Sequence, residues 1–171
     1  KEKYGTAFYG VNKLYLLMEK QHNRGQDGAG VANIKFDVEP GHRYISRHRS
    51  NAAQPIVEVF DKINARFAEA GEVFLGHLRY GTYGKNSIEN CHPFLRQNNW
   101  MTRNLVVAGN FNLTNVDELL EQLLDLGQHP KEKSDTVTVL EKIGHFLDEE
   151  NELLFKRYKQ EGYDNKAITS M

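Results

Sequence analysis

The sequence predicts a mixed α and β domain of the α+β class, in which strands pair through hairpins and helices cover the sheet faces. Three observations lead there. Apolar residues recur at helical spacing in several windows, first at Val11, Leu14, Tyr15 and Met18. Two strand-like runs flank Pro40-Gly41, the composition of a hairpin turn. Two short apolar runs, Val73 to Tyr80 and Leu105 to Ala108, have the length of buried strands rather than of helices.

Taken in order, the stripe from Val11 to Met18 marks a helix that stops at Arg24-Gly25. Ala29 to Phe36 reads as a strand, Asp37 to His42 as a turn and Arg43 to Arg47 as the returning strand. Pro55 opens the next helix, where its missing N–H costs nothing; Ile56, Phe60, Ile63 and Phe67 form the stripe and Gly71 closes it. The run from Val73 ends in His77, Arg79 and Tyr80, groups delivered at a strand end where sites are often built, and the glycine-flanked loop Gly81 to Gly84 follows. Asn115 with Glu118 fits a capping box before Leu119, Leu120, Leu123 and Leu124, and Gly127 ends that helix. Ser134 caps a further helix with Asp135 in its first turn and Thr136, Leu140, Ile143 and Leu147 as its stripe. Asn151 to Tyr163 reads as a last, charged and mostly exposed helix. The strands are few for a stable sheet, so pieces of the sheet are expected to lie outside these residues.

Composition narrows the function classes. With 171 residues, 39% hydrophobic and 26% charged, the chain can bury a core, and one domain over residues 1–171 is the expectation. A formal net charge of −1 leaves no excess of Lys or Arg to neutralise a run of phosphates, so neither nucleic acid nor an anionic membrane is an expected partner. A cluster at Arg43, Arg47, His48 and Arg49 reads as a solvated strand face, with an anion contact as the alternative. The single cysteine, Cys91, cannot form an internal disulfide, no apolar run reaches membrane-helix length and no leader pattern opens the chain, so the expected location is cytoplasmic.

The polar clusters are Asn23 to Gly28, Gly76 to Thr82, Asn90 to Phe94 and Gly109 to Asn112. Arg79 fits either a fork that grips a carboxylate or an ordinary ion pair. Asn110 fits either an oxyanion donor or a turn residue beside a glycine. Cys91 next to His92 suggests a thiolate and its base, yet neighbours in an extended chain point to opposite faces, and Pro93 keeps His92 out of helical geometry. The seven histidines show no zinc-binding spacing, so no metal site is expected.

Taken together and in order, these clusters resemble the class II glutamine amidotransferases, the N-terminal-nucleophile hydrolase domains that release ammonia from glutamine. Arg24 to Gly30 is similar to that family's RGQDSAG, Gly76 to Gly84 to its GHxRYxTxG, and Ala108 to Asn115 to its AHNGNLTN. Gln26 and Tyr80 resemble the amidophosphoribosyltransferase branch. The resemblance implies a four-layer αββα sandwich, here partial, with the first and last strands outside the chain. It also implies glutamine hydrolysis through a thioester, with ammonia passed to a phosphoribosyltransferase domain of the same full-length chain to make phosphoribosylamine for purine synthesis.

Carried over residue by residue, Arg79 holds the α-carboxylate of glutamine with Thr82 and His92 beside it, and Asp135 takes its α-amino group. Asn110 and the backbone N–H of Phe111 face the tetrahedral oxyanion, and Arg24 orders the loop around the nucleophile. Two departures follow. The family's AHNG is here Ala108-Gly109-Asn110-Phe111, and Phe resists backbone angles that glycine permits. The family's nucleophile is a cysteine at the mature N-terminus, and Lys1 stands where no cysteine exists. A Cys-Gly-Ile strand is therefore expected upstream, with the chain as given inert. No cofactor is expected in this domain, and Mg2+ belongs to the transferase domain if anywhere. A homo-oligomer is expected. Two alternatives stand beside this reading: a catalytically dead amidotransferase-like binding module, and an amidotransferase with a sugar phosphate or aspartate as acceptor.

Overall fold

The computed structural model describes residues 3–66, 71–81 and 87–170. Contacts divide the chain into two compact units, Lys1–Phe94 with Val106–Gly109, and Leu95–Leu105 with Asn110–Met171. Both helices and small antiparallel sheets are present, as the α+β expectation has it.

The first unit is built on a three-stranded antiparallel sheet in the order β2-β1-β3, with β1 at Gly28–Ile34, β2 at Ile45–Ser50 and β3 at Val73–Arg79. Lys35 N–H donates to Tyr44 O at 3.0 Å and closes the hairpin whose turn Pro40-Gly41 marks in the sequence. Two helices, α1 at Tyr9–Lys20 and α2 at Pro55–Arg66, supply Val11, Met18, Ile56, Val59, Phe60 and Ile63 to a core with Ala29 and Val31 of β1. Tyr15 and Phe60 meet edge to face at 5.1 Å between the helices. The stripe residue Phe67 lies outside the described residues.

β4 at Phe94–Arg96 and β5 at Leu105–Val107 form a two-stranded sheet. Three residues are too few for a period-2 pattern, and β4 leaves no signal in the sequence for that reason.

In the second unit, α3 is Val116–Asp125 and α4 is Asp135–Gln160. The capping box does not form. Asn115, at φ −120° and ψ 30°, lies off the extended geometry that turns an N-cap side chain over the first turn, and it makes no cap bond. Gly127, at φ +77°, ends the helix as expected, with its N–H on Leu124 O and the next N–H on Leu123 O. Ser134 accepts from Val137 N–H at 3.3 Å and starts α4.

α4 runs unbroken for 26 residues, through the point where two helices were expected. No proline interrupts it, and Asn151 bonds back to Leu147 O at 2.6 Å inside the helix. A short α5, Asn165–Thr169, follows. The polar anchor of this unit is Arg96, whose guanidinium holds Asp148 through two bonds at 3.2 and 2.5 Å and Glu141 at 3.3 Å. Thr136, Val137 and Leu140 are buried, whereas Ile143 faces outward, against the stripe read from the sequence.

Candidate active site

Side chains alternate across a strand, so β1 turns Ala29 and Val31 into the helix-facing core and Gly28 and Gly30 to the opposite face. In the ladder Gly30 lies between Arg49 and His77, and Gly28 faces Arg79. The outer strands thus carry charged and imidazole side chains on either side of a strip with no side chains of its own. Residues 91–93 lie in that strip. A Cβ on Gly30 would stand 1.9 Å from His92 O, and one on Gly28 2.6 Å from Cys91 Sγ. At Gly30 anything larger than glycine would meet main chain and hold the segment off the strand, while at Gly28 it would meet the Cys91 side chain.

Three guanidinium groups fasten this segment by its main-chain carbonyls. Arg49 Nη1 donates to Cys91 O at 2.8 Å and to Glu89 O at 3.4 Å. Arg47 Nη1 donates to Pro93 O at 3.3 Å, and Arg79 Nη1 to Asn90 O at 2.7 Å. The solvated-face reading of the basic cluster is therefore corrected for Arg47 and Arg49: alternate residues of β2 face the segment. Burial and the neighbouring Arg49 charge lower the basicity of Arg47.

Arg79 is fixed from two sides. Its side chain is held by Asn90 O, and its main chain by the loop before β1. Asp27 N–H donates to Arg79 O at 3.1 Å, and Asp27 Oδ2 accepts from Gly81 N–H at 2.8 Å. A Cβ on Gly25 would lie 2.8 Å from Leu78 C and 2.9 Å from Arg79 O. Arg24, expected to order this loop, is exposed, and among the described residues its side chain makes no hydrogen bond or ion pair. Gly25 and Asp27 do the ordering, a role that sequence reading did not assign to them.

His92 sits edge-on to His77 and to Phe94, with ring centroids 4.4 and 4.9 Å away. Burial, with His77, Arg79 and Arg49 nearby, brings His92 down to about 4. Burial and Arg79 lower His77 as well. Both rings are neutral at pH 7, and among the described residues His77 Nδ1 is buried without a hydrogen-bond partner. Thr82 lies outside the described residues.

Cys91 is 0% exposed, with Sγ 3.7 Å from Ser50 O and 3.8 Å from Ser87 O. Burial pushes its thiol up. An enclosed, protonated thiol is no nucleophile, which disposes of the Cys91 and His92 pairing.

The second unit carries the remaining candidates. Asn110 and Phe111 are exposed. No described residue other than glycine has a positive φ, so Phe111 occupies ordinary backbone and stores no left-handed strain. Asp135 Oδ2 accepts from Leu113 N–H at 2.8 Å, tying the first turn of α4 to the chain two residues beyond Phe111. Among the described residues no three His, Cys, Asp or Glu side chains gather as a metal-ligand set.

A family model for class-II glutamine amidotransferases matches residues 14–158, and the chain belongs to this enzyme family. Its relatives include amidophosphoribosyltransferases. That of Archaeoglobus fulgidus is 32% identical over 140 residues, 82% of this chain and 28% of the relative. That of Bacillus subtilis is 34% identical over 146 residues, 82% and 26% respectively. That of Lacticaseibacillus casei is 30% identical over 129 residues, 75% and 61%. The chain thus spans about a quarter of the first two relatives. No helix among the described residues is long and apolar enough to cross a membrane.

Proposed function

We propose that this chain is the glutamine-hydrolysing domain of an amidophosphoribosyltransferase-type enzyme. It releases ammonia from the side-chain amide of glutamine for phosphoribosylamine synthesis from phosphoribosyl pyrophosphate, the first step of purine nucleotide synthesis. The observation that carries the reading is the immobilised fork of Arg79, clasped by Asn90 O at 2.7 Å while its own main chain is pinned by Asp27. A guanidinium held in place before the ligand arrives loses little rotamer freedom on binding a carboxylate.

In this reading Arg79 takes the α-carboxylate, with Thr82 and His92 beside it, and Asp135 takes the α-ammonium through its second oxygen. Asn110 Nδ2 and the Phe111 N–H stabilise the oxyanion, each worth roughly 3 kcal/mol in comparable sites. A cysteine thiol adds to the amide carbon, ammonia leaves as the thioester forms, and water then cleaves the thioester to glutamate and regenerates the thiol. The nucleophile is not among these residues, whose sole cysteine is the enclosed Cys91. The sheet of the first unit belongs, in the same reading, to a four-layer αββα sandwich, and any Mg2+ belongs to the acceptor domain.

Titration calorimetry of the chain with L-glutamine tests the binding half. Saturable binding is expected, lost in Arg79→Ala and weakened at least tenfold in Asp135→Asn. Binding that ignores Arg79→Ala refutes the assignment. The acceptor is tested with the natural protein, which should form phosphoribosylamine from phosphoribosyl pyrophosphate; amination of a sugar phosphate or of aspartate instead would replace that half of the proposal.

A further inference from the structure

We infer that Arg49 is a positioning residue for glutamine: it fixes the main chain to which Arg79 is clasped, and touches no substrate itself. The inference rests on the reading of Arg79 as the group that takes the α-carboxylate.

Ser87 caps a single 3-10 turn at Ile88–Asn90, its hydroxyl accepting from Glu89 N–H at 3.2 Å. Asn90 N–H donates to Ser87 O and Cys91 N–H to Ile88 O, both at 3.1 Å. The carbonyls at the far end of such a turn have no partner within it, as at any helix C-terminus. Here those of Glu89, Asn90 and Cys91 go to two arginines. Arg49 Nη1 donates to Glu89 O at 3.4 Å and to Cys91 O at 2.8 Å, and Arg79 Nη1 donates to the one between them, Asn90 O, at 2.7 Å. The carbonyl that anchors Arg79 is thus bracketed, one residue to either side, by bonds to Arg49.

The two guanidiniums come from opposite edges of the sheet. Arg49 of β2 pairs with Gly30 in the ladder and Arg79 of β3 pairs with Gly28. The middle strand offers only glycine on this face, so the outer strands hold the turn by hydrogen bonds. Arg49 is itself confined: its side chain is 13% exposed, and its guanidinium carbon lies 5.9 Å from the centre of the Phe94 ring. The Glu89 carboxylate, 3.6 Å from Arg49 and 61% exposed, adds little, so the carbonyl bonds are the substance of the grip. Without Arg49 the Asn90 carbonyl can shift together with Arg79, and glutamine must then order its own carboxylate partner on binding. That loss is the same in the ground state and the transition state, so it falls on KM and spares kcat.

Glutamine hydrolysis by the natural full-length protein, followed as glutamate released, tests the inference. Arg49→Met should raise the KM for glutamine about tenfold and leave kcat within about twofold. Arg49→Lys, a compact single donor on a flexible stem, should recover most of that rise. The decisive measurement is a double-variant cycle on kcat/KM. In an Arg79→Ala background Arg49→Met should lower kcat/KM by less than about twofold, because the side chain it positions is gone. An equal, tenfold fall in both backgrounds would mean that Arg49 only supports the fold, and overturns the inference. A fall in kcat at constant KM does so too. An unchanged KM in Arg49→Met beside a raised KM in Arg79→Ala also refutes it, and leaves the glutamine reading standing. If neither variant moves KM, the reading of Arg79 itself fails, and this inference with it. Should Arg49→Met not fold, Arg49→Lys decides alone: a KM raised about threefold, with no such effect once Arg79 is alanine, is expected, and an unchanged KM refutes.

Discussion

Replacing Gly28 by alanine tests whether the strip on β1 is shaped by the segment above it. The new Cβ would stand 2.6 Å from Cys91 Sγ and 3.1 Å from Ser50 O. Carbon and sulfur need about 3.6 Å, so the thiol must retreat by roughly 1 Å. It has little room, being fully buried against Ser50 O and Ser87 O, with its own carbonyl held by Arg49 at 2.8 Å. Overpacking of this kind costs about 1–3 kcal/mol. Cys91→Ala removes the obstructing atom and alone costs about 1 kcal/mol for the lost sulfur contacts. The two changes together should therefore cost less than their sum, by about 1–2 kcal/mol. Urea unfolding followed by circular dichroism, on the wild type, both singles and the double, supplies the four free energies. Additivity within about 0.5 kcal/mol would refute the reasoning, because it would mean that the two side chains do not compete for one space. The family motif carries serine where this chain has Gly28, and the room released by glycine is the room Cys91 takes up.

Three further outcomes are expected. His92, at about 4, binds its proton less readily folded than unfolded, so its contribution is constant above about pH 6.5 and stability falls as pH drops from there toward 4. The ring is only half-buried and solvent screening limits the loss to on the order of 1–2 kcal/mol, to be measured as the slope of unfolding free energy against pH, which His92→Phe should flatten. The Cys91 thiol should resist a thiol-specific dye in the native chain and react within the dead time in urea; fast native labelling would contradict its enclosure. Arg96→Met should cost roughly 2–3 kcal/mol, because it leaves Asp148 and Glu141 facing each other without their shared cation, and Asp148→Asn should recover part of that loss in the double variant.

The elements with long, regular patterns were legible in the sequence. Val11 to Met18, Pro55 with its stripe, and Ser134 with Asp135 all mark helices that form where the spacing places them. What escaped has specific causes. β4 is too short for a period. The Asn115 capping box failed on one backbone angle, which residue identity does not determine. Ile143 shares the spacing of Leu140 yet lies outside, because spacing defines a stripe and not the partner that will cover it. The motif residues fared similarly: Arg79 was recognisable as a strand-end guanidinium, but what fixes it, the main-chain groups of Asn90, Asp27 and Gly25, carries no side-chain signature. Arg24, the conspicuous residue of its loop, makes no side-chain hydrogen bond or ion pair among the described residues, and its quiet neighbours hold the chain.

The arginine clasp over residues 89–93 has a consequence for how this protein can vary. Arg47, Arg49 and Arg79 grip carbonyl oxygens, groups that every amino acid supplies and that no change of pH removes. Substitution at the exposed Glu89 therefore leaves the grip intact, while the buried Cys91 and Pro93 stay confined by packing. The strip on β1 is less tolerant at Gly30, where a Cβ would meet the main chain of His92, than at Gly28, where it would meet the Cys91 side chain. The path over Gly30 must therefore stay bare whatever side chains the segment above it carries.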